Sequence, residues 1–265
     1  MTVANDQNTD ALISDDAVEL YRSRGFINVP GLLTPEEVSE QLADAERQLA
    51  REKTELWEED EGLAMDWVPD AGLRSEVTRR LTFHPKVTAV AERLAGAPLR
   101  LFKSELFRKP AGGRSAPTPM HHDEPSHPIE GRPITLTAWV ALVDVPVERG
   151  CMSFIPGSHK LVTPKEDDDG MSPLERWPHF AWEERTTVPM RAGDVHFHHA
   201  RVIHSAGAND TDTTRVSLAS IYMDAEAVYR PNFVYSYLFP DDDLGGLKPG
   251  EQVLGERFPL ARSGA

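Results

Sequence analysis

Leu99-Arg-Leu-Phe-Lys-Ser-Glu-Leu-Phe-Arg-Lys-Pro110 is where the hydrophobic period of the chain changes. Upstream, apolar residues recur at helical spacing. Thr34-Pro35-Glu36-Glu37 is a helix start, with Thr as N-cap, Pro at the first helical position and Glu at the third. Val38, Leu42, Ala45 and Leu49 then share one face, and the helix ends near Lys53. A shorter helix, Ala17 to Arg24, opens at Ser14-Asp15-Asp16 and closes at Gly25, and Phe26 to Pro30 reads as a short strand. A further amphipathic helix runs from His84-Pro85 to Leu94 and is stopped by Gly96. From Leu99 to about Met223 the period falls to 2, as in Ile134-Thr-Leu-Thr-Ala-Trp-Val-Ala-Leu-Val-Asp144.

Helices first, then strands parted by Pro and Gly turns, predict a mainly β fold with packed helices, a sandwich or barrel, and not alternating βαβ units. The expected division is a disordered start over 1–14 and one domain over 15–265. That domain comprises a helical part (15–98), a β core (99–224) and a C-terminal segment (225–265). Residues 54–72 carry acids, two Trp and no clean period, which predicts an irregular loop. Residues 161–185 also lack a period, and Lys165-Glu-Asp-Asp-Asp-Gly170 reads as a solvated loop tip. No internal repeat is visible, and Ala111-Gly-Gly-Arg114 has neither Rossmann spacing nor a Walker lysine.

A net charge of −15 and a pI near 5.1 supply no basic footprint for nucleic acid or an anionic membrane. The single Cys151 rules out an intramolecular disulfide. No run approaches the ~18 apolar residues of a membrane helix. The first ten residues have no basic or apolar leader region, so a cytoplasmic location is expected. Asn209-Asp-Thr211 matches a glycosylation sequon, which has no meaning without secretion.

Chemistry concentrates in Met120-His121-His122-Asp123-Glu124. If Pro119 to Glu124 is extended, side chains at i and i+2 share a face, so His121 and Asp123 point at one ion and His122 points away. A distant His204 supplies a third ligand. Two His and one carboxylate on one face leave positions open, as in non-haem Fe(II) oxygenases. His-x-Asp alone is weak, and its plain alternative is a surface turn. Eleven residues after His204, Arg215 sits among Val216, Leu218 and Ile221, where an arginine is costly to bury without an anionic partner.

The ordered set 106–110 (Leu-Phe-Arg-Lys-Pro), His121-His-Asp123, Thr137-Ala-Trp139, Gly150 to His159, Ala192-Gly-Asp194, His198 to His204 and Arg215 resembles the phytanoyl-CoA dioxygenase family of Fe(II)/2-oxoglutarate oxygenases. The resemblance spans roughly residues 14 to 230. It implies a double-stranded β-helix, or jelly roll, with a metal in the barrel mouth. Fe(II) would be held by His121, Asp123 and His204, and the distal carboxylate of 2-oxoglutarate by Arg215.

Trp139 matches a position lining the co-substrate pocket, its alternative being a core tryptophan. The family's hydroxyl two residues after the distal His is replaced by Ala206, and Ser205 or Ser217 are candidates to compensate. Glu105 aligns with a residue near the co-substrate, where a carboxylate is unusual. His198 matches a recurrent non-ligand histidine, either supporting the site or packing; His196 and His199 stay unassigned. The segments 161–185 and 124–133 are lid candidates.

The implied reaction consumes O2, releases succinate and CO2, and hydroxylates an unactivated C–H of a small metabolite in a biosynthetic pathway. Because Asp123 is present, the halide vacancy of related halogenases is absent. Two rivals remain: a Zn- or Mn-dependent β-barrel isomerase or hydrolase, which has no need of Arg215, and a non-catalytic iron/2-oxoglutarate sensor.

Overall fold

The computed structural model describes residues 12–60, 62–132, 135–161, 172–231, 244 and 246–262. Helix α1 (Asp15–Arg24) starts where Ser14 accepts a hydrogen bond from the Ala17 N–H and ends at Gly25 with φ +85°. Strand β1 (Phe26–Val29) follows, then α2 (Pro35–Arg51), whose Thr34–Glu37 capping box forms in full. Next come β2 (Glu55–Glu59), β3 (Gly62–Val68), α3 (Ala71–Arg74), α4 (Glu76–Thr82) and α5 (Pro85–Ala95). The remainder is mostly strand: β4 (Leu99–Lys109), β5 (Thr118–His121), β6 (Ile129–Glu130), β7 (Leu136–Ala141) and β8 (Met152–Phe154). After α6 (Pro173–Arg176) come β9 (Thr186–Val188), β10 (Val195–His199), β11 (His204–Ala206), β12 (Arg215–Asp224) and β13 (Val228–Tyr229).

The strands form a seven-stranded antiparallel sheet, β1-β10-β7-β12-β4-β3-β2, and a four-stranded sheet, β5-β11-β8-β9. These are the two faces of a jelly roll. Alternation assigns the residues. On β12, Val216, Leu218 and Tyr222 join Leu136, Ala138 and Val140 of β7 under the helices, against Val38, Leu49, Val90 and Leu94. Each Val or Leu side chain among them contributes roughly 1.5–3 kcal/mol through burial. The opposite face carries Trp139, Ala141 and Ala219, which pack with Met152, Phe154 and Ala206 of the smaller sheet. Among the described residues no helix is long and apolar enough to cross a membrane.

The expected irregular loop over 54–72 is instead the β2–β3 hairpin followed by the start of α3. Its period was hidden for two reasons. β2 is an edge strand exposed at most positions, and the buried position 66 of β3 holds an aspartate, whose carboxylate accepts from Arg108 Nε at 2.9 Å. A charged residue satisfied by a neighbouring strand looks solvent-facing in sequence. The loop 124–133 contains a 3-10 turn, Glu124–Ser126, and β6. Of the candidate lid 161–185, residues 162–171 lie outside the described residues, as does the acidic tip; α6 and a 3-10 helix, Pro178–Trp182, form much of the rest. Of the expected disordered start over 1–14, residues 1–11 lie outside the described residues, whereas Ile13 is buried in the helical core.

Candidate active site

β5 and β11 pair antiparallel with His121 directly opposite His204, and their rings lie 4.2 Å apart between centroids. One backbone ladder therefore sets the separation of two imidazoles drawn from distant sequence. The chain leaves the strand at His121. Asp123 has helical backbone angles (φ −82°, ψ −26°) and opens the 3-10 turn. The extended His-x-Asp geometry expected from alternation is thus replaced by a strand end plus a turn. The N–H groups of Asp123 and Glu124 both donate to the Ala200 carbonyl, at 2.8 and 3.1 Å. Arg201 clamps Glu124 with two bonds of 2.7 and 2.8 Å. This fixes Asp123 Oδ1 at 3.6 Å from His121 Nε2 and 3.7 Å from His204 Nε2. The three ligand atoms lie within 4.8 Å of one another, so one metal ion can be held by all three.

The histidine tautomers follow from their partners. His121 Nδ1 lies 2.8 Å from the Pro119 carbonyl and His204 Nδ1 lies 3.0 Å from the Val202 carbonyl. A carbonyl only accepts, so each Nδ1 carries the proton and each Nε2 turns a lone pair inward. Burial, and after it the neighbouring His121, brings the pKa of His204 down to about 3. Burial likewise lowers that of His121. Burial alone would raise Asp123, but His204, His198 and His121 outweigh it and hold the carboxyl well below the usual range. The donor set is two neutral imidazoles and a carboxylate, already in the protonation states a divalent metal requires. His198 Nε2 lies 3.1 Å from Asp123 Oδ2, so it donates to the oxygen that does not face the other two ligands. His196 is fully buried, stacks on Phe154 at 4.5 Å, and has no partner for either ring nitrogen among the described residues. His199 accepts from the Arg201 N–H and lies outside the triad.

A cavity of about 590 Å³ opens from these ligands between the two sheets. At its inner end Arg215 is 3% exposed; its Nη1 donates to the Gly150 carbonyl at 2.5 Å and its guanidinium lies 5.5 Å from the Trp139 ring. Its Nε has no partner, and no carboxylate pairs with it among the described residues. Burial draws its pKa down to about 10, so it is still a cation at neutral pH. Gly150 adopts φ +72°, and a Cβ there would lie 2.5 Å from the Gly207 carbonyl. The tight turn that presents its carbonyl to Arg215 therefore requires glycine.

Trp139 lines the cavity, as do Thr118 and Thr137, whose buried hydroxyls lack partners. Thr118 is the register partner of Ala206, so the hydroxyl missing from β11 stands on the adjacent strand. Sequence reasoning missed it because only the pairing register reveals the neighbour. Ser205 borders the cavity; Ser217, on the Arg215 face of β12, is fully buried with an unpartnered Oγ and is not among the residues lining it. Glu105 lines the cavity paired with Lys103 at 3.1 Å. Trp57 of β2 meets the His121 ring edge-on at 5.0 Å, so the hairpin closes one side of the cavity.

The comparisons with known proteins agree with this geometry. The phytanoyl-CoA dioxygenase (PhyH) family model matches residues 21–217. The phytanoyl-CoA dioxygenase domain-containing protein 1 of Mus musculus is 30% identical over 178 residues, 63% of this chain and 59% of that protein, so the match spans less than two thirds of that relative's length. The crystal structure of SnoN, a non-haem alpha-ketoglutarate-dependent epimerase from nogalamycin biosynthesis, superposes with a TM-score of 0.86 at 48% identity, covering 94% of this chain and 98% of that one. SnoN has also been crystallised with Fe3+, alpha-ketoglutarate and nogalamycin RO. SnoK, a carbocyclase from the same biosynthesis, gives a TM-score of 0.84 at 41% identity, covering 94% and 96%. The cluster of two histidines and an aspartate able to hold a metal, the jelly roll and the family match agree: the chain belongs to the phytanoyl-CoA dioxygenase family.

Proposed function

We propose that this chain is an Fe(II)- and 2-oxoglutarate-dependent oxygenase that attacks an unactivated C–H of a small metabolite in a biosynthetic pathway, with succinate and CO2 as co-products. One observation carries the reading. Two imidazole Nε2 atoms and one carboxylate oxygen converge in the same cavity as a buried arginine that has no counter-ion among the described residues.

Iron, when bound with 2-oxoglutarate and O2, supplies the oxidising power to break the C–H bond. The protein supplies placement. His121, Asp123 and His204 hold the metal from one side, and His198 fixes the rotation of the Asp123 carboxylate. Arg215 offers a planar fork to the distal carboxylate of the co-substrate, held in orientation by Gly150. Thr118 and Thr137 are unpaired hydroxyl donors for that co-substrate, Trp139 forms one wall, and Ser217, which does not line the cavity, is set aside. Glu105 is reassigned, because a carboxylate tied to Lys103 would oppose a dicarboxylate. Trp57 and its hairpin keep water from the reacting face.

Hydroxylation is the outcome we favour. The 48% identity to SnoN supports epimerisation as a second reading, since both outcomes begin with loss of the same kind of hydrogen. The test is anaerobic reconstitution of the full chain with Fe(II), Zn(II) or Mn(II), followed by 2-oxoglutarate and O2. Succinate formed with Fe(II) alone supports the oxygenase; equal turnover with Zn(II) would favour the isomerase or hydrolase. Mass spectrometry then separates the outcomes, because hydroxylation adds one oxygen and epimerisation leaves the mass unchanged. Succinate formed without any oxidised product from a metabolite pool would point to a sensor.

A further inference from the structure

Inward positions of β4 place Lys103 opposite Ile221 and Glu105 opposite Ala219, on the side of the cavity away from the minor sheet. Both are buried, at 7% and 8% exposure, and lie 3.1 Å apart. A buried ion pair costs several kcal/mol in desolvation and is often no better than packed apolar residues. Stability alone therefore does not account for one in the wall of a reaction cavity. The Trp67 indole N–H, on the neighbouring β3, is buried without an acceptor among the described residues.

We propose that Lys103, Glu105 and Trp67 read the substrate, and that the substrate is a bulky ring compound bearing hydroxyl or carbonyl oxygens and no phosphate. This rests on the oxygenase reading, because it takes the metal and Arg215 as already engaged. An ammonium beside a carboxylate is the complement of a hydroxyl, which both accepts and donates, and the indole adds a second donor for a ring oxygen. The surrounding wall of Trp57, Met65, Phe107, Met152 and Ile221 is apolar, and the flat faces of Trp57 and Phe107 within it suit a ring system.

Phosphate is excluded by charge. Among the described lining residues the only Lys or Arg are Lys103 and Arg215. The first is held by Glu105 and the second belongs to the co-substrate. Glu58 is exposed and lines the cavity, and its carboxylate would repel the polyanionic end of an acyl-CoA.

The experiment uses the full chain loaded anaerobically with Fe(II) and 2-oxoglutarate, titrated by calorimetry with two probes, nogalamycin RO and phytanoyl-CoA. We expect nogalamycin RO to bind and phytanoyl-CoA to give no heat. Lys103→Met and Glu105→Gln should each weaken nogalamycin RO binding at least about tenfold, with the double variant losing less than the sum. Trp67→Phe, which removes the indole N–H together with the fused five-membered ring, should weaken it at least about fivefold. Glu105→Gln preserves volume, so it serves as the readout if Lys103→Met fails to fold. The proposal is overturned if phytanoyl-CoA binds, if wild-type protein does not bind nogalamycin RO, or if the folded variants bind it as tightly as wild type. Wild-type succinate formation, measured without either probe, separates a failure here from a failure of the oxygenase reading.

Discussion

Asp123 accepts the His198 N–H on one oxygen and faces His121 and His204 with the other. Removing that single donor in His198→Phe, which keeps a ring in the same space, frees the carboxylate to rotate. Metal affinity should fall about 10- to 100-fold by titration, and unchanged affinity would show that His198 only packs. Arg215→Lys keeps the charge and loses the fork; KM for 2-oxoglutarate should rise at least about tenfold with a smaller change in kcat. The convergence of His121, Asp123 and His204 and the burial of Arg215 were legible in the sequence through their order and spacing. Their supports were not. Thr118 answers Ala206 across a strand pair, and Arg201 answers Glu124 across a turn, and neither relation leaves a local pattern.

At the level of elements, the turn carrying Gly150 couples fold to site, since its carbonyl accepts from Arg215. Gly150→Ala places a Cβ against the Gly207 backbone, which cannot give as a flexible side chain would. A loss of about 2–3 kcal/mol is expected in denaturant melts, together with weaker 2-oxoglutarate binding; a variant as stable as wild type would refute the clash. Helices α1, α2 and α5 could be read ahead because caps and period agreed with their burial, and the long central strands because their runs rich in strand-forming residues are buried on both faces. The β2–β3 hairpin could not, because an edge strand and a satisfied buried Asp66 both erase alternation.

For the whole molecule, two measurements follow. Metal and co-substrate bind only the folded chain, so Fe(II) at a hundred times its Kd should add about 2.7 kcal/mol. That corresponds to roughly 5–10 °C in melting temperature for a chain of this size, and Asp123→Ala should abolish both that shift and turnover. Acid should also unfold the chain early. Burial holds His199 down to about 3 and His196 well below its ordinary value, so both stay neutral in the fold. The unfolded chain takes up those protons once the pH drops below about 6.5, while the fold does not. Stability should therefore decline steadily from pH 6.5 towards 3. His196→Phe, which sacrifices no hydrogen bond, should flatten that decline in melting curves taken across the range, and an unchanged slope would exonerate His196.

Trp57 touches His121 from a strand that has a neighbour on one side only. His204 and Arg215 stand on inner strands, where replacement is penalised, while part of the surface that chooses among molecules hangs from a border that tolerates exchange. Grafting the 55–68 ribbon from a relative should redirect which compound is accepted without rebuilding the oxidising machinery. Descent within such a lineage would then diversify its targets by trimming this one margin.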